Sequence, residues 1–154
     1  MAREHHFTAR VVWTGAAHGP TKDYESYSRE YRIEIEGKPP LAGSSDPTFR
    51  GDASKHNPED LLVASLSGCH MLSYLHLCAS AGIEVVAYED QASGKMAIKD
   101  RKMRFVEVTL APKVTIAGGD LEQAKALHEQ AHAACFIANS VNFPVLHTPT
   151  VSRA

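Results

Sequence analysis

Several features that would assign the chain to a protein class are scarce or missing. Three cysteines among 154 residues, a small and odd number, argue against a disulfide-stapled extracellular domain and indicate reduced thiols. Lys and Arg total 16 and Asp and Glu total 18, so the net charge of −2 lacks the basic excess typical of nucleic-acid-binding proteins. No internal repeat is present, and the first residues lack the apolar stretch of a secretory signal. We therefore expect a cytoplasmic protein without a nucleic-acid partner.

The composition that remains is that of an ordinary globular domain. The chain is 44% hydrophobic and 22% charged, and its length predicts a single domain over residues 1–154. A chain of this size buries roughly 70% of its unfolded surface, so it needs neither metal nor disulfide to stay folded. The role of the cysteines must therefore be sought outside stability.

Alternating apolar and polar residues predict half-buried antiparallel strands in four segments: residues 7–13, 31–36, 83–92 and 103–115. The basic stretch 99–104 is interpreted as a solvated bend between the last two. Residues 145–151 predict a closing strand, which Pro149 confines to a sheet edge. The Pro- and Gly-rich segment 37–56 is long for a connection, so it is partly strand or functional.

Two helices are predicted, and the first is unusually apolar. Asn57 supplies an N-cap, Pro58 suits the first helical position, and the helix runs to residue 81 before Gly82 ends it. Its apolar and small residues predict burial on most faces, in a protein interior and not in a membrane. Asp120 with Gln123 begins a second helix over residues 121–134. Strands and helices together indicate an α+β fold.

The cysteines are the main candidates for chemistry. Cys69 in the first helix and Cys135 at the end of the second have small neighbours, and 66 residues of separation do not prevent contact, because long loops close at modest entropic cost. The alternative is that both are inert core cysteines, since free cysteine is among the most buried residue types. Cys78 points to a different helix face from Cys69 and is interpreted as packing.

A reactive thiol needs a cationic neighbour, and the turn around Cys69 offers none. Arg50, in the loop before the helix, is the candidate, with Glu59 as the carboxylate that orients its guanidinium. Ten residues of helix place Glu59 about 15 Å from Cys69, too far for both to serve one site within one chain unless the helix breaks or Arg50 bridges them. A second subunit would solve this if Glu59 or Arg50 of one copy completes the site around Cys69 of the other.

Two segments carry a resemblance to a known family. Residues 57–62, Asn-Pro-Glu-Asp-Leu-Leu, followed by Ser-Gly-Cys-His at 67–70, resemble the helix start and helical cysteine of the OsmC/Ohr proteins. Residues 131–136, Ala-His-Ala-Ala-Cys-Phe, with Asn-Ser at 139–140, look like that family's second-cysteine segment. The resemblance implies an α+β fold in which two chains intertwine as a homodimer, with antiparallel sheets enclosing long central helices.

The resemblance also implies a chemistry. It implies reduction of organic hydroperoxides, and of hydrogen peroxide in some members, by thiols recycled by an external dithiol, for which a lipoyl-type group is a candidate. No metal or prosthetic group is implied. Cys69 matches the peroxide-attacking cysteine, Cys135 the resolving cysteine and Glu59 the acidic partner of an arginine. Arg50 resembles the arginine of the OsmC branch, whereas Arg10 lies nearest to that of the Ohr branch.

The sequence departs from the Ohr pattern at two places. His70 follows Cys69 where many members have an aromatic residue, and residues 15–23 lack the glycine-arginine pattern of Ohr. Both departures point to the broader OsmC-like group. Two alternatives stay open: a non-catalytic dimer that binds a small hydrophobic ligand, and a zinc site built from His132, Cys135 and Cys69, for which no CxxC pair supplies further ligands.

Overall fold

The structure is a computed structural model that describes residues 3–154. Within that range the strands are β1 (Arg10–Trp13), β2 (Tyr31–Glu34), β3 (Leu41–Gly43), β4 (Glu84–Asp90), β5 (Ser93–Lys99), β6 (Lys102–Leu110), β7 (Pro112–Gly118), β8 (Val145–His147) and β9 (Thr150–Arg153). The helices are α1 (Pro58–Ser80) and α2 (Leu121–Ala134). Contacts divide the chain into two compact units, the first ending at Leu61 and the second spanning Leu62–Ala154.

The first unit is built on an antiparallel sheet in the order β1-β2-β3. Val11 pairs with Ile33, which pairs with Leu41, so the predicted alternation corresponds to a real register. Strand β3 lies inside the segment 37–56, which is therefore partly strand. A short 3₁₀ helix, Pro47–Phe49, follows in the same segment, and the Asp46 side chain caps it by accepting from the Thr48 amide at 2.8 Å.

Helix α1 begins and ends where the sequence predicts. The Asn57 side chain accepts from the Asp60 amide at 2.8 Å, and the Asp60 carboxylate accepts from the Asn57 amide at 3.2 Å, which satisfies two N-terminal donors. At the other end Gly82 has a φ of 70°, and the Ile83 amide donates to the Cys78 carbonyl at 2.9 Å. A glycine in this left-handed conformation closes the helix with little strain.

The second unit carries two mixed sheets, ordered β4-β7-β9 and β5-β6-β8. The pairs β4–β7 and β5–β6 are antiparallel. The predicted bend over residues 99–104 is only the tight turn at Asp100 and Arg101, both with positive φ; strand β5 before it was not predicted, and the segment 103–115 forms parts of two strands, β6 and β7. The predicted closing strand is instead two strands, because Pro149 interrupts it: β8 pairs in parallel with β6 and β9 with β7. The α+β class is confirmed, with two parallel edge pairs added to the antiparallel ones.

One stripe of α1 enters the core of the second unit. Its buried side chains recur every four residues: Leu66, His70, Tyr74 and Cys78. The expectation of burial on most faces is wrong for one chain taken alone, since Leu72 is 65% exposed. The helix is long and apolar enough to cross a membrane, but the core helix of a soluble protein meets the same criterion. Cys78 packs against Ile83 and Ile116 as predicted.

Candidate functional site

The structure brings Cys69 and Cys135 together. Cys69 lies half-buried on α1, and Cys135 follows the last turn of α2, where its amide donates to the His132 carbonyl at 3.3 Å. Their side chains are neighbours, because the Cys69 side chain is among the groups that raise the pKa of the Cys135 thiol, and both thiols are free. Two residues that are 66 positions apart in sequence thus form one dithiol pair within the second unit.

The two thiols differ in environment. Burial raises the pKa of the Cys135 thiol, the amides of Ala138 and Ile137 partly offset this by donating to the sulfur, and the adjacent Cys69 side chain raises the pKa further. Cys135 is therefore a protonated thiol at neutral pH, and it lies in the core. Cys69 is the more accessible of the pair, so a molecule from solvent reaches its sulfur first.

The residues predicted to activate the thiol lie in the first unit. Arg50 follows the 3₁₀ helix with a φ of 64°, and its guanidinium lies 3.9 Å from Glu25. Glu59 is half-buried in the first turn of α1 and forms no ion pair within residues 3–154. It does face Tyr31, whose pKa is raised by burial and then by the Glu59 and Asp60 carboxylates. The predicted pairing of Arg50 with Glu59 is absent within one chain, because the Arg50 side chain, 47% exposed, has Glu25 within reach.

Arg10, the other candidate arginine, is part of the first sheet. Its guanidinium donates to the Glu34 carboxylate at 2.5 Å, from the cross-strand position, and Arg32 contacts the same carboxylate. Hydrogen bonds from both arginines lower the pKa of Glu34. Arg10 thus has a structural partner that accounts for its position.

Four histidines, which the sequence did not predict to lie together, form a cluster in the second unit: His70 on α1, His128 and His132 on α2, and His147 on β8. His70 Nε2 and His128 Nδ1 are 3.0 Å apart, and both residues are 1% exposed. His128 and His132 are four residues apart and share one helix face, which was the available signal. We call these four residues the histidine cluster.

The part of the chain that the structure describes, residues 3–154, contains no three His, Cys, Asp or Glu side chains arranged to hold a metal ion. The zinc alternative, built on His132, Cys135 and Cys69, therefore has no preformed ligand set in this structure. Two nitrogens of the histidine cluster, His128 Nε2 and His147 Nδ1, are buried and have no hydrogen-bond partner among the described residues.

The first unit also carries an open apolar groove of about 470 Å³. Its lining residues are Val11, Trp13, Tyr27, Arg29, Tyr31, Ser44, Ser45 and Pro58. The Arg29 guanidinium lies 3.7 Å from the centre of the Tyr27 ring, a cation–π contact. Aromatic walls with one cation at the rim suit a small apolar molecule.

Comparison with known proteins places this fold in a family. Residues 51–149 match the OsmC-like protein family. An OsmC-like protein of unknown function from Vibrio cholerae is 30% identical, with 96% of this chain and 100% of that chain covered and a TM-score of 0.88. No curated protein matches the chain.

Two more distant structures share the fold. An organic hydroperoxide resistance protein from Elizabethkingia anophelis is 21% identical, with 99% of this chain and 100% of that chain covered and a TM-score of 0.69. One from Legionella pneumophila is 19% identical, with 98% and 99% covered and a TM-score of 0.68. The family match over residues 51–149 and the similarity to the Vibrio cholerae structure together show that the chain belongs to the OsmC-like protein family.

Proposed function

We propose that the protein is a thiol-dependent peroxidase that reduces organic hydroperoxides in the cytoplasm. The observation that carries this proposal is the pair of neighbouring free thiols, one accessible and one buried and protonated. The names of the Elizabethkingia anophelis and Legionella pneumophila structures, which share the fold, point to the same class of substrate. Neither step of the proposed reaction uses a metal or a prosthetic group.

In the first step the Cys69 thiolate attacks the terminal oxygen of the hydroperoxide. An S–O bond forms, the O–O bond breaks, and the leaving alkoxide takes up a proton to become an alcohol. Cys69 is thereby oxidised to a sulfenic acid while the peroxide is reduced. The greater accessibility of Cys69 relative to Cys135 supports this order of events.

In the second step Cys135 resolves the sulfenic acid. Its sulfur attacks Cys69, an S–S bond forms, and the hydroxyl group leaves as water with the Cys135 proton. The disulfide protects Cys69 from irreversible further oxidation. An external dithiol, with a lipoyl-type group as the candidate, then reduces the disulfide by thiol–disulfide exchange.

We further propose that the active unit is a homodimer and that Arg50 and Glu59 act across its interface. An arginine suits the site because its fixed donors hold both a thiolate and a peroxide oxygen while staying charged. Glu59 makes no ion pair within residues 3–154 of its own chain, which leaves its carboxylate available to an arginine of a second copy. Exposed apolar residues of α1, such as Leu72, support an interface along this helix.

The first test is mass spectrometry of the oxidised protein. After one equivalent of an organic hydroperoxide, we expect a Cys69–Cys135 disulfide, with Cys78 recovered as a free thiol because it is buried in a separate part of the core. The variant Cys78→Ala serves as the control and should give the same bond. An oxidised protein without this bond, or with Cys78 in it, would contradict the mechanism.

The dimer is tested by mixing two inactive variants. One carries Cys69→Ser and the other Arg50→Ala, and the two are exchanged and then assayed for peroxide consumption. If Arg50 acts across the interface, each heterodimer contains one intact site, and random exchange restores roughly one quarter of the parental activity. No restoration in a sample that sedimentation shows to be dimeric would place the arginine in the same chain as its cysteine.

The apolar groove of the first unit favours a second candidate function, a dimer that binds a small hydrophobic ligand without catalysis. In that case ligand binding would be saturable at the groove, whereas Cys69 and Cys135 would stay reduced in the presence of peroxide. Thiol titration before and after peroxide distinguishes the two functions.

A further inference from the structure

The histidine cluster joins the two helices that carry the dithiol pair. His70 directly follows Cys69 on α1, and His132 lies one turn before Cys135 on α2. One direct link between the helices is the contact of His70 Nε2 with His128 Nδ1 at 3.0 Å, between rings that are parallel to within 7°. With both residues 1% exposed, water competes little for this hydrogen bond.

A second contact holds His128 in place. The Tyr74 ring stacks on the His128 ring with centres 3.8 Å apart, and the Tyr74 hydroxyl donates to the Ala124 carbonyl at 2.9 Å. Tyr74 lies one turn after His70 on α1, and Ala124 one turn before His128 on α2. Two successive turns of α1 are therefore hydrogen-bonded to two successive turns of α2, next to the helix positions that carry the thiols.

The spacing of α1 and α2 matters for the bond that the thiols must form. A disulfide requires an S–S distance of about 2.05 Å and a narrow range of Cβ–Cβ distances. Reaction rates of groups held by a protein are sensitive to displacements on the order of 1 Å. The links between the helices consequently control how often the two sulfur atoms reach bonding geometry.

The link requires an accepting ring nitrogen, so at least one of the two imidazoles must be neutral, and protonation of both would break the hydrogen bond. Burial, the strongest effect, lowers the pKa of His70, and the neighbouring histidines His147 and His132 lower it further. The Asp90 carboxylate on β4 acts in the opposite direction and raises the pKa, but the net effect is a lowered pKa. Burial and then His70 and His147 lower the pKa of His128. The pair is therefore uncharged at neutral pH, which preserves the hydrogen bond.

Resting on the peroxidase function proposed above, we infer that His70 and His128 are positioning residues for the resolving step. Their hydrogen bond sets the spacing of α1 and α2 so that Cys135 reaches the Cys69 sulfenic acid before a second peroxide does. It has no part in the first step, in which only Cys69 reacts with the substrate. Loss of the bond is therefore expected to slow disulfide formation without slowing the formation of the sulfenic acid.

Three variants test this inference. His128→Phe keeps a ring beside Tyr74 but removes the hydrogen bond. The double variant H70Q/H128N restores a neutral bond, because the Gln amide replaces Nε2 and the Asn amide replaces Nδ1. His76→Gln is the matched control, since His76 is exposed on the same helix. Each protein receives one equivalent of organic hydroperoxide, and mass spectrometry with a dione trap for sulfenic acid follows both steps.

We expect His128→Phe to form the sulfenic acid at the parental rate and the disulfide at least about tenfold more slowly, with sulfinic acid at Cys69 under excess peroxide. The double variant should recover disulfide formation to within about threefold of the parent. The control His76→Gln should form the disulfide at the parental rate. Parental disulfide formation in His128→Phe, or an equal loss in the double variant, would overturn the inference.

If His128→Phe does not fold, the parent and the double variant are compared between pH 7 and about pH 3, because protonation of both imidazoles leaves the parent pair without an accepting nitrogen, whereas the amides of the variant do not titrate. The parent's disulfide step should then decline more steeply than the variant's, and equal declines would overturn the inference. Failure of the proposed function itself looks different, because the parent would then form neither sulfenic acid nor disulfide at neutral pH.

Discussion

Replacement of Cys69 by serine is expected to reduce peroxide consumption with a dithiol reductant by at least about 10³-fold, the order of effect seen when a nucleophile is removed. A serine hydroxyl has neither the acidity nor the polarisability of a thiol, so it does not attack the O–O bond at neutral pH. Cys69 is the accessible thiol of the pair, whereas burial raises the pKa of Cys135 and keeps it protonated. The measurement is the initial rate of hydroperoxide loss.

Two further variants define what that loss means. Without added reductant, Cys135→Ser should consume one equivalent of peroxide in forming the Cys69 sulfenic acid, and excess peroxide should consume more only as it converts that acid to sulfinic acid. Cys78→Ala, at a buried position in the same helix, should retain the parental rate if the protein stays folded. If Cys69→Ser consumes peroxide as fast as the parent, Cys69 is not the peroxide-attacking residue, and membership of the family by fold would be all that stands.

The free energy of unfolding is expected to fall in acid because of the histidine cluster. Burial and neighbouring histidines lower the pKa of His70 to about 4 and that of His128 to about 3, compared with 6.5 when unfolded. The unfolded chain therefore binds more protons, so the stabilising effect is complete above about pH 6.5 and is lost as the pH falls toward 4. At about 1.36 kcal/mol for each unit of pKa, His70 alone predicts a loss of about 3 kcal/mol.

Denaturant unfolding followed by circular dichroism between about pH 7 and pH 4 measures this loss. The double variant H70Q/H128N, which has no imidazole in the pair, should show a flatter profile, whereas His76→Gln should follow the parent because His76 is exposed. The carboxylates contribute a separate acid dependence, and the difference between parent and double variant removes it. Identical profiles for the two proteins would refute the assignment to His70 and His128.

The elements that sequence analysis predicted well are those governed by local chemistry. Asn57, Asp60 and Gly82 bound α1 through hydrogen bonds within a few residues, and Asp120 caps α2 by accepting from the Gln123 amide at 2.6 Å. Short-range interactions of this kind are encoded by residue type and spacing. Pairing between distant segments was less accessible, as the parallel edge strands β8 and β9 show.

Some parts of the candidate site were likewise predictable from the sequence and others were not. The two cysteine segments carried the family resemblance, and the expectation that Cys69 and Cys135 can be partners in space agrees with the effect of the Cys69 side chain on the pKa of Cys135. The roles of Arg50 and Glu59 remain proposals, because in one chain Arg50 contacts Glu25 instead. His147 was expected to be an exposed or satisfied histidine and His128 drew no prediction, because an isolated histidine in a helix or strand has no distinctive pattern until its neighbours are known.

By itself the sequence determined where the helices begin and end, most of the segments that alternate as strands, and which thiols are candidates for chemistry, because these depend on hydrogen bonds and periodicities within a few residues. Only the tertiary structure decided that Pro149 separates two strands on different sheets, that α1 buries a single stripe, and that four scattered histidines meet beside the thiols. Contacts of this second kind join residues up to 77 positions apart, as from His70 to His147, and arise from packing that no local pattern records.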